Sequence, residues 1–228
     1  MKLLILSALS FACALNLEAQ SYRYIFDNYR IPPPDRYADV EGNPMYFDHW
    51  VRGDILKSDG GKIEGVRLNY NGYTNELEVD LDTVMIALDP RWHIRADVSL
   101  NDNPGLKDIQ TSVAFQYGLH PDFGEGYGVI LFLGDRYLLM KRFDVDQLKD
   151  TKNEYGRVEP KEIFIRTSTY FLREGNSFIK LKTKKKPLLD ALHNDPRVEE
   201  FYVRNHLDGD READLIRLVS FANTLSAD

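Results

Sequence analysis

Short runs of alternating apolar and polar residues, cut by turn chemistry, dominate residues 51–88. Asp59-Gly60-Gly61, Asn71-Gly72 and Asp80 to Asp82 supply the breaks. Such residues tolerate the positive φ angles and side-chain turns that tight hairpins need. The pattern predicts strands over 51–57, 62–69, 76–80 and 83–88. In the second, Ile63, Val66 and Leu68 alternate with polar neighbours. In the third, Leu77 and Val79 oppose Glu76 and Glu78. The fourth is almost wholly apolar, which predicts a central place in a sheet. Together they read as a β-meander that the rest of the chain extends and covers.

Further strands are expected over 91–100 (RWHIRADVSL), 111–117, 129–133 and 136–143 (RYLLMKRF), the last two joined through Gly134-Asp135. Residues 149–161 read as a polar loop. A last hairpin follows over 162–172 and 177–182. The character changes at Lys184-Lys185-Lys186-Pro187. Leu188, Leu189 and Leu192 fit one helical turn. Asp195 caps a second helix with Pro196 at its first position. Val198, Phe201 and Tyr202 share its face, and Gly209 is expected to end it. A third helix begins near Asp210, with Glu212 in its first turn and Leu215, Leu218, Val219, Ala222 and Leu225 as its apolar stripe. Strands first and helices last define an α+β fold. Antiparallel meander and hairpin sheets, as a sandwich or an open barrel-like sheet, precede a short C-terminal helical segment. The turns are too short for parallel crossovers.

The start of the chain follows other rules. Met1-Lys2, the apolar run 3–15 and Ala19 have the form of a secretory signal peptide over 1–19. The apolar run is too short to span a bilayer, which takes about 20 residues. Cys13, the only cysteine, reads either as a lipidation site or as apolar filler lost with the leader; Ser10-Phe11-Ala12 before it is a poor lipobox. Cleavage leaves a chain without thiols, which suits a bacterial envelope better than a eukaryotic exterior. Residues 20–50 form an arm rich in aromatics (Tyr22, Tyr24, Phe26, Tyr29). Pro32-Pro33-Pro34 and Asn43-Pro44 keep it out of a central strand. The β domain then covers 51–183, and the helices 184–228 pack on it.

Apolar residues make up 43% of the 228 and charged residues 29%, enough for a real core. The net charge of −7 opposes binding to a phosphate backbone, so no nucleic-acid partner is expected.

Candidate chemistry is sparse. Gly124, Gly126 and Gly128 precede a strand and lack dinucleotide spacing. No G-x-S-x-G elbow occurs. The five histidines form no zinc pair, so no metal and no cofactor is expected. His120 and Asp122 are the one close histidine–acid pair and the weak catalytic candidates. Asp80/Asp82, Asp144/Asp146 and Asp208/Asp210 could hold a cation, yet they fall where Asp favours turns and caps. Lys180, Lys182, Lys184, Lys185 and Lys186 form the one basic cluster. Of these, Lys182, Lys184, Lys185 and Lys186 make a candidate surface for an anionic lipid headgroup or lipopolysaccharide. The alternative is a lysine-protected edge strand.

GDILKSDGGKIEGVRLNYNGYTNELEV, YGVILFLGDRYLLMKRF, TSTYFLREGNSFIKLKTKKKPLLDAL and DLIRLVSFANTL together resemble a set of exported proteins of the Bacteroidota with no known activity. The resemblance runs over most of the chain from about residue 50. It implies a β-rich exported domain with a helical C-terminal end, and brings no site residue with it.

Two functions are therefore expected from the sequence. The first is an exported, non-catalytic protein of the periplasm, outer-membrane surface or exterior, which binds an envelope protein or an outer-membrane component. It would not be an integral membrane protein, because a barrel needs long strands throughout and would not end in helices. The second is an envelope hydrolase or carbohydrate-active enzyme using dispersed acids.

Overall fold

Val51, Gly53 and Ile55 are buried along one strand while Arg52 is exposed, the period of two expected of a half-covered sheet. The same alternation builds the rest. The computed structural model describes residues 25–26, 28–100, 112–121, 124–150 and 161–225. The leader, Cys13, Tyr22 and Tyr24 lie outside the described residues, as does Asp122.

Among the described residues, twelve strands form one open sheet: β1 (Tyr29–Arg30), β2 (Val40–Glu41), β3 (Val51–Lys57), β4 (Lys62–Asn71), β5 (Glu76–Asp80), β6 (Met85–Leu88), β7 (His93–Ser99), β8 (Ser112–Tyr117), β9 (Tyr127–Leu133), β10 (Tyr137–Asp150), β11 (Lys161–Glu174) and β12 (Ser177–Leu181). Their order is β1-β6-β5-β4-β3-β7-β8-β9-β10-β11-β12, with β2 on β11. Three helices follow: α1 (Lys185–Ala191), α2 (Pro196–Arg204) and α3 (Glu212–Thr224). The fold is α+β with the sheet unclosed; consecutive strands make most of its pairings, while β1–β6, β3–β7 and β2–β11 join strands distant in sequence.

Four details differ from the sequence reading. The pair β2–β11 is parallel; all of β3 to β10 lies between these two strands in the chain, so the short turns that force antiparallel pairing do not constrain it. The apolar β6 lies next to the edge, covered only by β1. β10 continues to Asp150, because pairing with β11 over its whole length satisfies a backbone whose polar residues suggested a loop. Finally, α2 ends at Arg204, and Gly209 has another task. A Cβ there would strike the Thr183 carbonyl oxygen, so glycine lets the loop before α3 touch the chain leaving β12.

The sheet curls until its two halves meet. Val145 donates its amide to the Gly72 carbonyl at 3.3 Å. Tyr46 of the arm is tied by its amide to Tyr70 (2.7 Å) and sits inside the curl. Its ring meets Phe47, Phe115 and Phe143 edge-on at 4.8, 5.2 and 5.1 Å, contacts that contribute about 0.5–1.5 kcal/mol each beyond burial. Leu215, Leu218, Val219 and Ala222 of α3 complete this core. A satellite cluster of Leu138, Met140 and Phe171 lies on the opposite face of the sheet, with Leu119, Ile130 and Phe178 against it.

The arm is pinned by charge as well. Arg36 reaches the fully buried Glu78, its Nη2 lying 2.6 Å from both carboxylate oxygens. Asn71 Nδ2 donates to the same carboxylate at 2.8 Å and to Tyr37 Oη at 2.9 Å.

Candidate functional site

Five lysines between 180 and 186 are charge-dense in sequence, and the structure divides them three ways. Lys185 pairs with Glu199 at 2.9 Å and lies over the Tyr202 ring. Those contacts bind α1 to α2. Lys180, Lys182 and Lys184 instead line an open cleft of about 620 Å³ with Ser168, Thr169 and Tyr170. Lys186 stands outside this lining and, like Lys180 and Lys182, makes no ion pair with the described residues.

Local structure explains the cleft. β12 pairs with β11 only from Tyr170 to Glu174, and β2 takes β11 only at Glu162 and Ile163. Ser168 and Thr169 fall between the two partners. The loop allowed by Gly209 brings Asp210 to the rim. There it accepts from Thr183 Oγ1 (2.5 Å) and pairs with Lys184 (2.7 Å). Lys184 holds the Asp210 carboxyl below its usual range, with Thr183 adding to the effect. Both partners are largely exposed, and water screens an exposed pair so that it contributes little. Lys184 can therefore exchange Asp210 for another anion at little cost.

The floor is rigid. Tyr170 donates its hydroxyl to Glu212 Oε2 at 3.0 Å, and Lys141 Nζ lies 2.5 Å from the same oxygen. Lys141 is buried and stands 4.3 Å above the Tyr46 ring. Burial holds its ammonium below the usual lysine value, although Glu212 opposes this. Burial likewise pushes the Tyr46 and Tyr170 hydroxyls up. Sequence reading missed this network. Its signal was a lysine at an inward position of an apolar alternation, Leu139, Lys141, Phe143, Val145.

The remaining candidates have structural roles where described. His120 stacks on Phe178, centroids 3.5 Å apart and planes within 13°, at the satellite cluster. Its sequence partner Asp122 is outside the described residues. Asp80 and Asp82 share Arg67 at 2.8 Å each, Asp144 pairs with Arg142, and Asp208 caps the amide of Asp210 at 3.1 Å. Among the described residues, no helix is long and apolar enough to cross a membrane.

Comparisons with family models, with curated proteins and with solved structures give no match to this chain. The geometry of its clefts is therefore the ground for a functional reading.

Proposed function

We propose that this is an exported, non-catalytic protein of the cell envelope that binds an anionic envelope component through the basic cleft. The leader-like segment 1–19 supports export. The observation that carries the binding is the meeting of Lys180, Lys182 and Lys184 with the hydroxyls of Ser168 and Thr169 in one cleft, where two of the three ammoniums have no carboxylate partner among the described residues.

Ammoniums and hydroxyls are donors matched to phosphate oxygens. The chain as a whole is acidic, so long-range attraction to an anionic surface is weak and recognition is local. A lysine held near an anionic lipid surface contributes about 1 kcal/mol. Three would give roughly a hundredfold preference for anionic over zwitterionic headgroups.

Co-sedimentation of the processed protein with vesicles tests this. Phosphatidylglycerol vesicles should retain it, and phosphatidylcholine vesicles should not. Lys180→Glu with Lys182→Glu should abolish the difference. Equal binding to both vesicle types, or no effect of the two reversals, would remove the proposal.

A further inference from the structure

A second cleft opens at the other end of the strand order, where β1 covers β6. Its volume is about 630 Å³, and its walls include Tyr29, Arg30, Glu76, Asp89, Arg91 and Tyr117, with Glu125 at the approach to β9. We propose that this cleft binds a neutral saccharide.

The charge pattern selects the ligand class. Arg30 grips Glu76 through Nε (2.9 Å) and Nη2. Arg91 grips Asp89 through Nε (3.1 Å) and Nη2 (2.8 Å). A guanidinium carries five N–H donors and a carboxylate about four acceptor positions. Each pair therefore presents unspent donors beside unspent acceptors. A sugar hydroxyl donates and accepts at once, and matches such a doublet. With two guanidiniums against three carboxylates, an anion gains no net attraction. A bare cation meets carboxylates of which two are already paired to arginine.

The two tyrosines supply the apolar part. Aromatic faces are electron-rich, and the C–H edges of a sugar ring are weakly positive, so a ring can lie on a tyrosine while its hydroxyls reach the arginine pairs. The volume is within the range usual for small-ligand sites.

The wall is set before any ligand arrives. Asp89 donates its amide to the Asn28 carbonyl at 3.0 Å, and its own carbonyl accepts from the amides of Trp92 and His93 at 3.1 Å. Tyr117 is held against Tyr127 with centroids 5.9 Å apart. Little ordering remains to be done on binding, which favours affinity.

The test is a titration of the isotope-labelled processed protein, followed by amide resonances. The probes are N,N′-diacetylchitobiose, cellobiose and maltose, with inorganic phosphate, calcium chloride and trilysine as comparators. At least one disaccharide should shift resonances around Tyr29, Asp89 and Tyr117, with a Kd on the order of 1 mM or tighter. Arg91→Ala alters a side chain 75% exposed and should weaken this at least roughly tenfold. Tyr117→Leu keeps apolar volume without the ring and should do the same. Silence from all three disaccharides at about 10 mM, shifts confined to another face, shifts unaffected by either substitution, or saturation of the cleft by a comparator would each overturn the assignment.

Discussion

The ammonium of Lys141, on the inner face of β10, lies 2.5 Å from the carboxylate of Glu212 at the start of α3. At the other end of the same helix, Asn223 Oδ1 accepts the amides of Arg136 and Tyr137, each at 3.0 Å. Residues 212 and 223 are about 16 Å apart along a helix, and 137 and 141 about 13 Å apart along a strand. The two clamps therefore hold α3 alongside β10, running in the opposite direction. This lashing fixes the wall from which Tyr170 faces the basic cleft.

The two partners of the ion pair should respond unequally. Glu212→Gln leaves a lysine only 7% exposed without its carboxylate and should cost about 3 kcal/mol. Lys141→Met leaves a carboxylate 31% exposed that still accepts from Tyr170, and should stay within about 1 kcal/mol of the native protein. Burial depresses the Lys141 value below its ordinary 10.5, so the folded chain binds fewer protons here than the unfolded chain. The contribution of Lys141 to stability should rise with pH across the interval from the depressed value to 10.5, and fall as pH drops back through it. The buried tyrosines, whose hydroxyls are pushed up, act in the opposite sense near pH 10 but are common to both proteins. The difference in urea-unfolding free energy between the native protein and Lys141→Met should therefore shift in favour of the native protein as pH rises through that interval.

Arg36→Met should release the arm. It strips the buried Glu78 carboxylate of its cation, a loss of about 3–5 kcal/mol. Combining it with Glu78→Leu removes the stranded charge as well, so the double variant should be more stable than Arg36→Met alone. Chemical denaturation of the two variants decides this.

Gly72→Ala tests the seam of the curl. A Cβ there would lie 2.7 Å from the Phe143 ring and 2.8 Å from Val145. Overpacking of this kind costs about 1–3 kcal/mol. A thermal midpoint equal to that of the native protein would show that the halves of the sheet do not meet as described.

The cap of α2 sets an acid limit. Asp195 accepts the Arg197 amide at 2.8 Å. The Arg197 side chain, then that amide, bring its carboxyl down to about 2. Its contribution should be complete above the ordinary 3.8 and should fade as pH falls toward 2. Asp195→Ala should lower the melting temperature at pH 7 and converge with the native protein near pH 2.

How much of this was legible in the sequence depended on how local its cause is. The bounds of β3 and β5 follow from turns whose residues act on their own backbone, as when Gly61 donates to Asp59 at 2.8 Å. Asp195 and Pro196 announce α2 in the same way. The extension of β10 was hidden because Asp144 and Asp146 resemble loop residues until β11 lies beside them. The β2–β11 pair, the Arg36–Glu78 contact and the Lys141–Glu212 contact join residues far apart in the chain, and no local pattern encodes them. The lysine cluster was visible as composition. Its division into helix-binding Lys185 and cleft-lining Lys180, Lys182 and Lys184 needed the geometry that Gly209 permits.

The most direct measurement is the salt dependence of binding to phosphatidylglycerol vesicles for the native protein, for Lys180→Glu/Lys182→Glu, and for Lys185→Glu. Native binding should weaken as salt shortens the Debye length from about 30 Å at 0.01 M to about 8 Å at 0.15 M. The double reversal should bind no better than to phosphatidylcholine, while Lys185→Glu should bind nearly as well as the native protein, because Lys185 serves the helix contact. Loss of binding in Lys185→Glu with retention in the double reversal would contradict the basic cleft as the binding site.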